Sequence, residues 1–217
     1  MKLLPTFLGA GLVAMVVASP VLAQTPALSF TGGSFTNNFP WRVQGYEFDV
    51  TAPQGVTVTA LSYFDRGNDG LVEAHEVGIW NPAGDLLVST VIPAGSETGL
   101  DSAGFRFVNI TPISLPAAAG YIVGGTTSIG QFNQPDFSVF FWPTGSTVMA
   151  PGLTYVDDRI IDSPTLLRPT EGRIATGPGW AAGSFHSLLN TVSAPEPGSL
   201  ALLLPLLGGL VARRRRP

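Results

Sequence analysis

Apolar and polar positions alternate with a period of two in short runs through the middle of the chain. Tyr46, Phe48 and Val50 alternate with Glu47 and Asp49, and Val56, Val58 and Ala60 alternate with Thr57, Thr59 and Leu61. Val77 and Ile79 continue the pattern against Glu76 and Gly78. Successive side chains of a strand point to opposite faces, so strands are predicted over 45–50, 55–64 and 75–80. Asn81-Pro82-Ala83-Gly84-Asp85 has turn chemistry, and Leu86 to Ile92 reads as the hairpin partner beyond it. Phe105 and Phe107 flank Arg106, Asn109 breaks that run, and Pro112 to Pro116 leads into Gly120-Tyr121-Ile122-Val123-Gly124. Phe137 to Trp142 is apolar on both faces, the pattern of a strand covered on both sides. Leu153 to Ile161 is expected as an edge strand in a loop-rich region that holds Pro151, Pro164, Pro169 and Pro178. No helical period of useful length interrupts these runs. The prediction is all-β: a single antiparallel β-sandwich, jelly-roll-like.

Composition sharpens this picture. Gly 26 and Pro 19 among 217 residues disfavour long helices. Residues 24–194, long enough for one sizeable core, carry six arginines, no lysine and fourteen carboxylates, a net charge of −8. Such a surface repels nucleic acid and anionic lipid unless a cation bridges them. The chain has no cysteine, which removes thiol catalysis, thiolate zinc sites and iron–sulfur clusters.

The two ends differ from the body. Lys2, an apolar stretch from Leu8 to Val17 and Ser19-Pro20-Val21-Leu22-Ala23 have the order of a signal peptide cut after Ala23, which implies the Sec translocon and signal peptidase as partners. At the other end, Pro195-Glu196-Pro197 precedes an apolar segment, Leu200 to Val211, and then Arg213, Arg214, Arg215 and Arg216. As a helix that segment covers about 18 Å, well short of the roughly 30 Å hydrocarbon core. A short apolar helix fenced by arginines suits transient inner-membrane association with the arginines on the cytoplasmic side. Three parts follow: a signal peptide (1–23), a β-sandwich ectodomain (24–194) and a C-terminal tail (195–217).

The tail resembles the PEP-CTERM sorting signal of Gram-negative bacteria, which joins a Pro-Glu-Pro motif, an apolar stretch and a basic end. The resemblance implies an exosortase as processing partner and delivery to the cell surface or to an exopolysaccharide matrix. A second likeness, over about 65 to 120 and carried by Leu61-Ser62-Tyr63-Phe64-Asp65, His75-Glu76-Val77-Gly78-Ile79-Trp80 and Gly104-Phe105-Arg106-Phe107, is to secreted PEP-CTERM proteins with uncharacterised β-rich ectodomains. It implies no activity.

Candidate chemistry in the body begins with Asp65 to Glu76. Set against a calcium-loop template, Asp65, Asp69, Leu71, Glu73 and Glu76 fall at ligand positions and Gly70 at the sharp turn. Gly67 stands where Asp or Asn is expected, so a plain strand connection competes with a calcium site; no other cofactor is implied. His75 and His186 lack zinc-pair spacing and are expected to be structural. Asp157, Asp158 and Asp162 could serve a secreted glycan hydrolase, but adjacent residues of a strand face opposite ways, and no G-x-S-x-G elbow occurs. Trp80 and Trp142 are expected in the core, and Trp41 and Trp180 in loops where an indole could pack on a sugar ring. The expectation is a non-enzymatic exported protein of the surface or matrix that binds polysaccharide or calcium.

Overall fold

The computed structural model describes residues 25–31, 42–127, 146–173 and 183–189. The signal peptide, the strand expected at Phe137 to Trp142, Trp41, Trp180 and the whole tail from Pro195 to Arg216 lie outside the described residues. Among the described residues there are thirteen strands: β1 (Thr25–Pro26), β2 (Leu28–Thr31), β3 (Arg42–Val50), β4 (Val56–Phe64), β5 (His75–Trp80), β6 (Leu86–Ile92) and β7 (Gly99–Leu100), then β8 (Phe105–Leu115), β9 (Ala118–Thr126), β10 (Ser146–Met149), β11 (Leu153–Asp162), β12 (Glu171–Arg173) and β13 (Gly183–Leu189). All pair antiparallel. The main sheets run β12-β11-β3-β9-β5-β6 and β1-β13-β4-β8-β7, with β10-β2 as a small third sheet. The chain passes between the main sheets from β3 to β4, β4 to β5, β6 to β7 and β8 to β9, and β12 and β13 again lie in different sheets, so the fold is an all-β sandwich.

One apolar core lies between the sheets. Tyr46, Phe48 and Val50 of β3 and Tyr121 and Val123 of β9 meet Val56, Val58 and Leu61 of β4 and Phe185 of β13. Phe48 sits at the centre, its ring 4.9 Å from that of Phe185 and 5.6 Å from that of Tyr121. Each such side chain contributes roughly 1.5–3 kcal/mol on burial.

Two departures from simple alternation have local causes. The pairing of β4 shifts between Val58 and Ala60: against β13 Thr59 is the extra residue, whereas on the β8 side it faces the three residues Ile110 to Pro112. A bulge reverses which face later residues take, so Leu61 and Tyr63, rather than Ala60, join the core. On β8 the run does not end at Asn109; the strand continues through Pro112 to Leu115, whose side chain is fully buried. Leu153–Asp162 is also not an edge: β3 pairs with it on one side and β12 on the other.

The outer face of the larger sheet carries a row without side chains. Gly45, Gly124 and Gly78 are opposite one another on β3, β9 and β5. Residues 163–170 lie over this furrow, where a Cβ on Gly124 would come within 3.1 Å of Pro169 and one on Gly78 within 3.0 Å of Leu166. Val43, Trp80 and Ile122 are buried beside it, so Trp80 is covered on the outer face rather than in the core between the sheets.

Candidate functional site

The loop after β4 is organised by an arginine that the chain supplies from β8. Arg106 stands opposite Tyr63, and its Nε–H donates to Asp65 Oδ2 at 2.7 Å, with both side chains nearly inaccessible. The same oxygen accepts the Gly70 N–H at 3.0 Å. The rest of the guanidinium donates to the carbonyls of Ser96 (3.1 Å), Thr98 (3.3 Å) and Asn68 (3.3 Å). Positive φ at Gly67, Asn68 and Gly70 curls the chain so that these acceptors converge.

This arrangement alters the reading of the five candidate calcium ligands. Asp65 faces a guanidinium rather than an open cation site. The Leu71 carbonyl accepts the Gly95 N–H at 2.7 Å in a short bridge. Asp69 is exposed, while Glu73 and Glu76 are half-buried. Among the described residues no group of three or more acidic or histidine side chains is placed to hold a metal ion. Sequence spacing put these residues in register with a template; folding gave the first of them a partner 41 residues away.

Both histidines have structural roles. His75 Nδ1 lies 2.8 Å from the Thr126 carbonyl, so Nδ1 carries the proton and Nε2 keeps its lone pair. Its ring stacks flat on Tyr63 at 3.7 Å. Burial pulls its pKa down to about 4, against the opposing influence of the Thr126 carbonyl and the Glu73 charge. His186 Nε2 is 2.7 Å from Asp101 Oδ2, with both side chains buried. The other Asp101 oxygen accepts the N–H groups of Ala103 (2.8 Å) and Phe105 (2.9 Å), which fixes the turn into β8. Neither Asp101 nor its pairing with His186 was visible in the sequence: the partners are 85 residues apart, and no short motif joins them.

The acids of β11 divide between the two faces, as adjacent strand residues should. Asp157 accepts from Arg159 at 2.8 Å on the outer face, where Arg159 also binds Glu47. Asp158 turns inward, is buried, and accepts a hydrogen bond from the Tyr155 hydroxyl. Burial raises the Tyr155 pKa, and the neighbouring Asp158 charge raises it further. Beside it the Tyr46 hydroxyl is 2.8 Å from Ser184 Oγ, and burial raises its pKa as well. Asp162 pairs with Arg42 at 2.7 Å near the surface. These carboxylates therefore do not face each other across a cleft, the arrangement that acid-assisted glycoside cleavage needs.

What the fold and these clusters define is an all-β sandwich whose described buried charges knit strands and loops together. No family model matches the chain, and searches of curated proteins and of solved structures found no significant match.

Proposed function

We propose that this is an exported, non-enzymatic protein of the Gram-negative cell surface or exopolysaccharide matrix, with the β-sandwich as its external part and the tail as an exosortase substrate. The observation that carries the reading is the order of the tail: Pro195-Glu196-Pro197, twelve residues of mostly apolar character to Val211, then Arg213 to Arg216, in a chain that opens with a signal-peptide pattern. The geometry of the body supports it, because Asp65, Asp101, Asp157 and Asp158 each make a structural contact within the sandwich. An acidic body suits retention on a hydrated polysaccharide better than on nucleic acid or anionic lipid, and the sequence offers Trp41 and Trp180 as candidate platforms for sugar rings.

Two measurements test this proposal. Retention of the exported protein on an exopolysaccharide column, together with no turnover on a broad glycan panel, is the expected result. Turnover that disappears in Asp158→Ala would replace the reading with a secreted glycan hydrolase.

A further inference from the structure

Among the described residues the two main sheets have four edge strands, and they are not alike. β1 and β7 are two residues long, and β1 contains Pro26. β12 is three residues long and carries Glu171 and Arg173. Short length, proline and charge are the devices by which sheets keep their edges from pairing with other chains. β6 has none of these: it runs seven residues, Leu86–Ile92, without a charge, a proline or a glycine, and departs from regular pairing with β5 only at a bulge at Leu87, near its start. Among the described residues it has β5 on one side and no strand on the other. Its side chains are unusually apolar for a solvent-facing edge, with Leu86 49%, Leu87 39% and Val91 53% exposed.

We infer that the free edge of β6 pairs antiparallel with β6 of a second copy of this chain, joining two six-stranded sheets into one. A two-fold axis at Ser89 sets Leu87 of one copy beside Val91 of the other and repeats the contact across the axis. Apolar and β-branched cross-strand pairs of this kind each stabilise by roughly 0.2–1 kcal/mol. Charge selects the same edge. In a body with six arginines against fourteen carboxylates, two copies repel unless they meet where no charge stands, and residues 86–96 carry none. Area sets the strength. Seven residues at about 3.3 Å each make a seam about 23 Å long, bridged by about six to eight main-chain hydrogen bonds. With the roughly 10 Å thickness of a sheet, that seam buries on the order of 500 Å² in total, below the roughly 1,200 Å² of a stable complex. The association is therefore reversible and favours crowded surroundings.

The absence of cysteine gives a direct test. Ser89→Cys places one thiol on the axis, where antiparallel Cα separations of about 4.5 or 5.5 Å both lie within disulfide reach. Thr111→Cys places one on an exposed position of β8. Full-length chains are oxidised mildly in detergent and disulfide-linked dimer is followed on non-reducing gels. The expected result is that Ser89→Cys links at least ten-fold faster than Thr111→Cys, and that adding Val91→Lys slows it to the Thr111→Cys rate. Equal rates at the two sites, or indifference to Val91→Lys, overturn the inference. So does a Ser89→Cys adduct in whole cells whose mass is not twice that of the chain, which would place a different polypeptide at this edge.

Discussion

Replacing Arg106 by alanine probes the interaction that decides between a strand-locking loop and a cation-binding one. The substitution leaves the Asp65 carboxylate fully buried with the Gly70 N–H as its remaining described donor, and strips a donor from the carbonyls of Asn68, Ser96 and Thr98. Removing one partner of a buried ion pair costs about 3–5 kcal/mol, because the other charge stays desolvated. In a body of this size 1 kcal/mol moves Tm by roughly 2–4 °C, so a fall of about 6–20 °C is expected. Arg106→Met combined with Asp65→Leu should recover most of that loss, since the pair's two desolvation costs vanish together. Urea denaturation followed by tryptophan fluorescence, with thermal scans alongside, measures both. If the guanidinium is the loop's own cation, millimolar calcium leaves the Tm of the unsubstituted protein unchanged. A loss below about 1 kcal/mol in Arg106→Ala, or a rise of several degrees with calcium, would show that the guanidinium is not the loop's own cation.

His75 has a folded pKa of about 4 against an unfolded value near 6.5, so the unfolded chain binds its proton first and the stability tied to neutral His75 is complete above pH 6.5. It is lost as pH falls from 6.5 towards 4, by up to about 3 kcal/mol; urea midpoints at pH 7 and 4.5 should therefore show the advantage of the unsubstituted protein over His75→Phe shrinking at the lower pH, and an unchanged difference would count against it. In the glycine furrow, a Cβ on Gly45 would lie 1.8 Å from the Val123 carbonyl oxygen, whereas one on Gly78 meets only the ends of Leu86, Leu166 and Trp80 at 2.9–3.3 Å. Gly45→Ala should prevent folding or cost more than the roughly 1–3 kcal/mol of ordinary overpacking, and Gly78→Ala should stay at or below the bottom of that range, as read from denaturation midpoints; equal costs would contradict the furrow.

Local pattern carried much of the fold. The hairpin of β5 and β6 appears at its expected bounds because Asn81 and Gly84 close the turn: the Asn81 N–H donates to the Asp85 carbonyl and the Gly84 N–H to the Asn81 carbonyl, both at 2.9 Å, with Gly84 at φ 98°. What local pattern missed depends on partners distant in sequence. The extra residue at Thr59 is defined by the pairing with β13, not by β4 itself, so the alternation of Val56, Val58 and Ala60 could not announce that Leu61 and Tyr63 would turn inward. The second neighbour of β11 is likewise set by Glu171–Arg173, too short a run to have a period. The same holds for the site. Asp65 to Glu76 held the right residue types for calcium, yet only the pairing of β4 with β8 brings Arg106 to Asp65. His75 was legible as structural because it opens a strand, but its Thr126 partner comes from β9, across the sheet.

Intact-mass spectrometry of the native protein recovered from the cell exterior tests the proposed transient anchorage and export. The expected result is a chain that begins after Ala23 and ends near Pro195, without Arg213 to Arg216. Full-length polypeptide held in the inner membrane, or an exported form that keeps its arginines, would contradict it.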